Sequence, residues 1–389
     1  MTQAPFAIIE DGRGGRILPF HAPSCLIVAH EAGEVAGAFA AIDEARRAGL
    51  WVAGYAAYEL GYMLEPRLRP LLPTRRNAPL MCFGAFAGPA GADWSAQAGG
   101  HARVELSPQW SAADYRHRFD KVIDYIRAGD VYQINLTFPM AGRFSGDPLA
   151  LYARLRARQP VAVGGVFSLG DETILCCSPE LFFETEGRLA RVRPMKGTER
   201  RGNLPHEDMW RARLLKTEEK ARAENLMIVD LLRNDLGRLA EIGSVKVTDL
   251  FTVAAYPTLH QMTSGIEARL REGLSLLDLF CGLFPCGSVT GAPKIRAMEI
   301  IRELETAPRG AYCGALGYIT PQGDARFSVG IRTLTLGAGG TAVLNVGSAV
   351  VADSGAQAEY DECLLKASFL TGDAANTAET PPQATAISA

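Results

Sequence analysis

Eight cysteines are scattered through the 389 residues, and none belongs to a Cys-x-x-Cys pair. Without that spacing a zinc site is not indicated. Most of the cysteines sit among apolar neighbours, so they read as buried free thiols in a reducing compartment. No apolar run is long enough to cross a bilayer as a helix. The start, "MTQAPFAIIEDGRGG", lacks a basic region followed by an apolar stretch, so no signal peptide is expected and the chain reads as cytoplasmic. Positive charge is not in excess either: 40 Lys and Arg stand against 43 Asp and Glu, a formal −3. A general nucleic-acid binder would be clearly basic, so neither nucleic acid nor membrane is expected as a partner. There is no internal repeat. In "FPCGSVTGAPKIRAMEII" the Gly-Lys-Ser/Thr ending of a P-loop is missing, which discounts ATP.

What is present is ordinary for a globular protein: 48% hydrophobic and 21% charged residues, on a chain long enough to bury a large core. Length alone suggests two or three domains or one large sheet-rich unit. Residues 1–107 read as a strand-rich first part, with "LIVAH" and "LWVAGYAAYE" as apolar runs. The Gly/Ala-rich stretch 88–102 reads as a loop and the best internal boundary. Ser111 opens a helix to about Ala128, with Asp114 completing a variant capping box. "GDVYQINLTF" follows as turn and strand, and "EG" (186–187) is the turn between two further strands. Residues 207–240 read as one long helical stretch, and "SLLDLFCGLF" as a short helix. Three strands, 313–320, 325–336 and 341–351, form a meander with turns at "TPQGD" and "GAGG", and a helix runs from Ala356 to Leu370. The second part is therefore 108–370. The tail 371–389 has no aromatic residue and reads as disordered. Strand runs with hairpin turns, interrupted by helices, indicate an α+β protein with antiparallel sheets.

Several side chains lie where a purely structural chain would not put them. Glu224 shares a helical face with Met227, Ile228 and Leu231. Glu362 has Ala358, Leu365 and Phe369 along its face, with Glu359 and Lys366 on the same side. Two carboxylates aimed along apolar faces suit a hard cation such as magnesium. A Glu224 that snorkels to water, and an ordinary i,i+4 pair between Glu362 and Lys366, remain open alternatives. Gly287 and Gly291 precede Pro293, read as the first residue of a helix whose amides favour an anion. In the strand "RFSVGIRTLTL", Ser328, Gly330 and Arg332 share one face, where the arginine can clamp a carboxylate. Gly347 interrupts another strand, a sign of close backbone approach. In "RVRPMKGTERRG", Lys196 stands among arginines: a solvated charge, a phosphate binder, or an amine held for chemistry. Unaided, this reads as a pocket for a small polyanionic metabolite with acidic metal ligands.

Taken together, "SPELFF", "KGTERRG", "ENLMIVDLLRNDLGR", "LHQMTSGIEARL", "FPCGSVTGAPKIRAMEII", "GALGYI" and "AEYDECLLKA" resemble the chorismate-utilising enzyme family. The resemblance covers about residues 110–370 and is weaker before residue 88, where "GYAAYELGY" still matches. It implies a large sandwich of two antiparallel β-sheets flanked by helices. It implies that Glu224 and Glu362 hold Mg²⁺ against the ring carboxylate of chorismate, with Glu359 acting through the metal's water shell. Ala221 departs from the acidic residue many relatives carry three positions before Glu224. The resemblance assigns Glu180 as the general acid for the C4 hydroxyl. It places Lys366, Arg332, Tyr318 and the backbone at Gly347 on substrate carboxylates, His260 and Thr290 near the departing hydroxyl and ring, and Thr198 among the substrate contacts.

Two positions separate the branches of the family. Gln133 stands where water-adding relatives carry a lysine base. Lys196, in "PMKGT", stands where anthranilate and isochorismate synthases have alanine. The resemblance thus implies amination of chorismate to 4-amino-4-deoxychorismate, toward 4-aminobenzoate and folate, through attack of Lys196 on C2 and of ammonia on C4. The ammonia is expected from a separate glutamine amidotransferase subunit. An anthranilate synthase, or a metabolite-binding relative without activity, are the alternatives.

Overall fold

A computed structural model describes residues 4–12, 15–90, 100–158, 163–255 and 259–371. Among these, two antiparallel sheets form the sandwich. The first runs in the order Gly291–Ala292, Gln133–Gly146, Thr341–Val350, Thr333–Gly337, Thr173–Cys176, Val163–Ser168, Phe6–Asp11, Arg16–His21, with Ala102–Pro108 also on Gln133–Gly146. The second runs Met195–Arg200, Leu259–Arg269, Leu189–Arg193, Leu181–Glu186, Ala325–Val329, Ala315–Ile319, Trp51–Ala56, Met81–Phe86, Cys25–Ala29, with Lys246–Ala255 on Leu259–Arg269. Strands from the first 107 residues are thus woven into both sheets. Strand Phe6–Asp11 pairs with Val163–Ser168, and Trp51–Ala56 with Ala315–Ile319. The tail from 372 onward, and residues 91–99 of the expected boundary loop, lie outside the described residues.

The core is rich in aromatic edges. Phe280 meets Phe182, Phe183 and Phe327 edge-on at 6.4, 6.0 and 5.6 Å between ring centroids. Such pairs add about 0.5–1.5 kcal/mol each beyond the area they bury. Helix Leu276–Leu283, started by a capping box between Ser275 and Asp278, carries Phe280 into this cluster. Helix Ala112–Arg127 starts the same way, at Ser111 with Asp114.

The structure departs from the sequence reading in four places. The strand expected over 325–336 is two strands in two sheets. Ala325–Val329 ends in the second sheet and Thr333–Gly337 begins in the first. Between them the Ile331 amide folds back onto the Val329 carbonyl at 2.7 Å, and Arg332 adopts φ +50°. The alternation that put Ser328, Gly330 and Arg332 on one face therefore stops at the crossing. The helix expected over 207–240 divides at Glu218, which is extended, into Pro205–Thr217 and Glu219–Gly237. The Thr217 hydroxyl donates to the carbonyls of Arg213 and Leu214, giving the first helix an end. Pro293 is the cap rather than the first residue of helix Lys294–Leu304. Of the eight free cysteines, Cys25 and Cys281 are exposed and the other six buried.

Candidate active site

Lys196 lies on Met195–Arg200, at the end of the second sheet. Its partner strand is in register at Met195↔Thr263 and Thr198↔Gln261, so three steps on one strand face two on the other. This is a β-bulge, a device that re-aims a side chain. Gly197 sits in it at φ +82°, where a Cβ would lie 3.0 Å from that of Ala221 and 3.3 Å from Leu215. Both the backbone angle and the space require glycine after the lysine. Ala221, at the position where an acidic residue was the family expectation, is buried in a small apolar cluster with Leu215 and Met262. The half-buried Lys196 ammonium is destabilised first by burial and then by the Lys366 charge, while Glu180, Glu224 and Glu362 oppose the shift; the net effect is a lowered pKa.

Glu180 is 3% exposed, just ahead of strand Leu181–Glu186. Its amide donates to Ser178 Oγ at 3.2 Å, and its carbonyl accepts from the Val329 amide at 3.1 Å. Burial pushes its carboxyl up to about 7, against hydrogen bonding from Ser288, the charge of Lys196 and the Met195 amide. Its Oε1 is buried without a hydrogen-bond partner. A carboxyl that keeps its proton near neutrality thus stands in the field of an amine that gives its proton up more readily than usual. Both shifts favour the neutral forms, a carboxyl able to give a proton and an amine able to attack.

The acidic pair comes from two helices, Glu219–Gly237 and Ala356–Thr371. Burial raises the Glu224 carboxyl, Lys196 and Lys220 lower it, and the negative charges of Glu362 and Glu359 raise it again. Burial also acts to raise Glu362, but the charge and hydrogen bond of Lys366 outweigh it, and its pKa falls. The i,i+4 pair is present, with Lys366 Nζ 2.8 Å from Glu362 Oε1, yet the same ammonium donates to the Gly347 carbonyl at 2.9 Å. Glu359 accepts from Ser354 Oγ at 2.7 Å. Among the described residues no group of three or more His, Cys, Asp or Glu is placed to hold a metal. The oxygen donors of Glu224 and Glu362 fit magnesium, which is bound by one or two carboxylates and keeps positions for water and substrate. A divalent cation would also relieve their mutual repulsion.

The remaining expected residues divide. Gln133 is fully buried at the start of its strand, with both side-chain amide atoms unpartnered. Thr290 is fully buried beside that strand, its carbonyl accepting from the Asn135 amide at 2.8 Å. The Thr290 hydroxyl is spent on the carbonyls of Cys286 and Gly287. His260 is buried with Nε2 2.8 Å from Asp208 Oδ1, and its Nδ1 is buried without a partner. Asp208 is held well below the usual carboxylate range, chiefly by Arg201, so as a carboxylate it accepts the hydrogen bond from His260 Nε2. Thr198 donates to Gln261 Oε1 at 3.1 Å. Tyr318 lies on a strand of the second sheet, and Arg332 on the segment that crosses from that sheet to the first. The Tyr318 hydroxyl donates to Asp11 at 3.0 Å, and its ring lies 5.8 Å from that of Trp51 in a second apolar cluster. Arg332 occupies the crossing between sheets, where its carbonyl accepts from the Cys177 amide at 3.1 Å.

Sequence reasoning passed over Ser288, Asp208, Ser354 and Gln261. Ser288 lies inside a stretch already singled out, but its partner Glu180 is 108 positions away and nothing local points to it.

A sequence profile for "chorismate binding enzyme" matches residues 91–372. Aminodeoxychorismate synthase component 1 of Salmonella typhimurium is 42% identical over 265 residues, 67% of this chain and 58% of the relative. Anthranilate synthase component 1 of Thermus thermophilus is 39% identical over 274 residues, 70% of this chain and 59% of the relative. The chain therefore spans under two thirds of the length of these curated relatives. The crystal structure of anthranilate synthase component I from Streptococcus pneumoniae superimposes with a TM-score of 0.75 at 25% identity, covering 95% of this chain and 91% of that one.

Proposed function

The chain belongs to the chorismate-binding enzyme family, and on that premise we propose that it aminates chorismate at C4, giving 4-amino-4-deoxychorismate. The observation that carries this reading is Lys196, an amine of depressed pKa held in the field of a protonated Glu180 and the Glu224–Glu362 pair. The reading makes Lys196 the nucleophile, because splitting one hard displacement into two easier ones is what a positioned amine offers. Its neutral nitrogen forms a bond to C2, the ring double bond shifts, and the C4–oxygen bond breaks. The Glu180 carboxyl gives its proton to the departing hydroxyl, which leaves as water. Ammonia then bonds to C4, the double bond shifts back, and the C2–Nζ bond breaks to restore the neutral lysine. The Glu180 carboxylate recovers a proton from the new ammonium group. The sum is chorismate and ammonia giving 4-amino-4-deoxychorismate and water.

Glu224 and Glu362 would hold Mg²⁺, with Glu359 supporting it through water; when bound it supplies positive charge for the ring carboxylate and the electron density gathering there. Lys366, fixed between Glu362 and the Gly347 carbonyl, is placed to meet a second carboxylate. Gln133, a neutral amide, cannot activate water as a lysine base would. Relatives named "component 1" support a second subunit, and we take it to be a glutamine amidotransferase supplying ammonia, with the product feeding 4-aminobenzoate and folate synthesis in the cytoplasm.

The test is product identification after incubating the purified chain with chorismate, Mg²⁺ and ammonium. 4-Amino-4-deoxychorismate is expected; anthranilate would assign the C2-aminating activity instead, and no turnover would leave a binding protein. The chain alone should use ammonium and not glutamine, and should gain glutamine-dependent activity with its amidotransferase subunit.

The acid role gives a pH dependence. The protonated form of Glu180 is the active one, so kcat/KM for chorismate at constant free ammonia should fall on the alkaline side as that carboxyl, raised by burial, loses its proton. The acid limb belongs to Lys196, which must lose its proton to attack. Glu180→Gln should lower the plateau and remove the alkaline limb. An unchanged limb in that variant would show that Glu180 is not the acid.

A further inference from the structure

The segment that presents Lys196 is gripped by a side chain outside the roles assigned so far. Gln261 lies directly across from Thr198 on the neighbouring strand and is 8% exposed. Its Nε2 donates to the Gly197 carbonyl at 2.9 Å, and its Oε1 accepts from the Thr198 hydroxyl at 3.1 Å. A carbonyl can only accept, so Gly197 fixes which end of the amide is nitrogen, and the hydroxyl meets the oxygen. One amide thus clasps both residues that follow Lys196. It does so at the bulge, where the backbone ladder is locally disrupted, and beside a glycine at φ +82°, the residue type with the most freedom to lose.

From this geometry we infer that Gln261 is a positioning residue for the lysine nucleophile: its amide locks the Gly197–Thr198 peptide and so fixes the direction from which Lys196 reaches the substrate ring. The inference rests on the reading of Lys196 as the nucleophile. Lysine has a long, flexible stem, and attack on a ring carbon demands a narrow approach, so a fixed base for the stem removes much of the freedom that would slow the step. A neutral amide suits the place. A glutamate would set a carboxylate against the Gly197 carbonyl and add a negative charge near Lys196, favouring the unreactive ammonium.

The experiment is a double-mutant cycle. Gln261→Met keeps length without the two hydrogen bonds, and is made in wild type and in Lys196→Ala. Measured are kcat and KM for chorismate with ammonium, and the rate of Lys196 adduct formation by intact-protein mass spectrometry. In the Lys196-containing protein, kcat and the adduct rate should fall together by about 10- to 100-fold, the scale of a small misplacement, with KM within about twofold. In Lys196→Ala the same substitution should change nothing further, because what it positions is gone. An equal loss in both backgrounds, a change in KM alone, or no loss in either overturns the inference. Gln261→Glu supplies a second reading should the Met variant not fold. It should form adduct more slowly and only at higher pH than wild type; an unchanged rate and pH profile contradicts the inference. If Lys196→Ala keeps full kcat and wild type forms no adduct, the nucleophile reading itself fails, and this inference with it.

Discussion

Replacing Glu224 or Glu362 by glutamine should remove most of the activity on chorismate while leaving the unfolding transition almost where it is. Glutamine keeps the shape and one oxygen but not the charge, so a divalent cation loses half of what holds it. Losing one preorganised charge-stabilising contact typically costs about 10²–10³ in rate. The fold should not suffer. The charge of Glu362 opposes the ionisation of Glu224 in the folded chain, and the Glu362–Lys366 pair is half exposed, a class contributing ~0–1 kcal/mol. Steady-state rates against Mg²⁺ concentration, with a chelator control, check this. Full turnover in excess chelator, or variants with wild-type rates, would show that these carboxylates do not hold a required metal.

Arg309→Met should lower stability by about 3–5 kcal/mol, the usual cost of breaking a buried ion pair from one side. Arg309 is 3% exposed and Glu305 7%. The guanidinium donates to both Glu305 oxygens at 2.6 and 2.8 Å, and to the carbonyls of Val289 and Asn135 at 2.8 and 2.7 Å. The Tyr58 ring covers it at 4.4 Å. Its removal leaves Glu305 unpaired with only the Thr137 amide, at 2.9 Å, and orphans two carbonyls. Those carbonyls flank Thr290 and the strand opposite Gly347, so the damage should reach the site as well as the melting curve. Pairing the change with Glu305→Leu should recover part of the loss, because it deletes the stranded charge. Urea titrations of wild type and the two variants give the answer. A double variant no more stable than Arg309→Met would mean that lost packing, rather than a stranded charge, sets the cost.

The sequence disclosed the fold class because turn chemistry and strand patterns are local. Ser111 with Asp114, "TPQGD" and "GAGG" each act within a few residues, and each is where it was expected. It was silent on the crossing at Gly330–Arg332, because a strand that changes sheets keeps the same alternation up to the break. That is why Arg332 was placed on a face it does not share. Lys196, Glu180, Glu224, Glu362 and Lys366 were legible through the motifs around them, and their charges meet in the structure. For Tyr318 the motif names a strand, and only the tertiary packing shows its hydroxyl on Asp11. Asp208, Ser288 and Gln261 escaped for the opposite reason. Each is ordinary in its own segment and acquires a role only through a partner brought near by the sheets. The direction of the Lys196 shift also comes from elements far apart in sequence, and no local reading supplies it.

The central claim is that Lys196 bonds to the substrate ring, and intact-protein mass spectrometry tests it most directly. Wild type mixed with chorismate and Mg²⁺ in the absence of ammonia should gain the mass of chorismate less one water, located on the peptide bearing Lys196. Adding ammonium should discharge the adduct, and Lys196→Ala should never form it while still binding chorismate. No adduct under any trapping condition, together with Lys196→Ala rates equal to wild type, would contradict the account and return Lys196 to the class of solvated charges, where a substitution changes stability by under about 0.5 kcal/mol and rates by little.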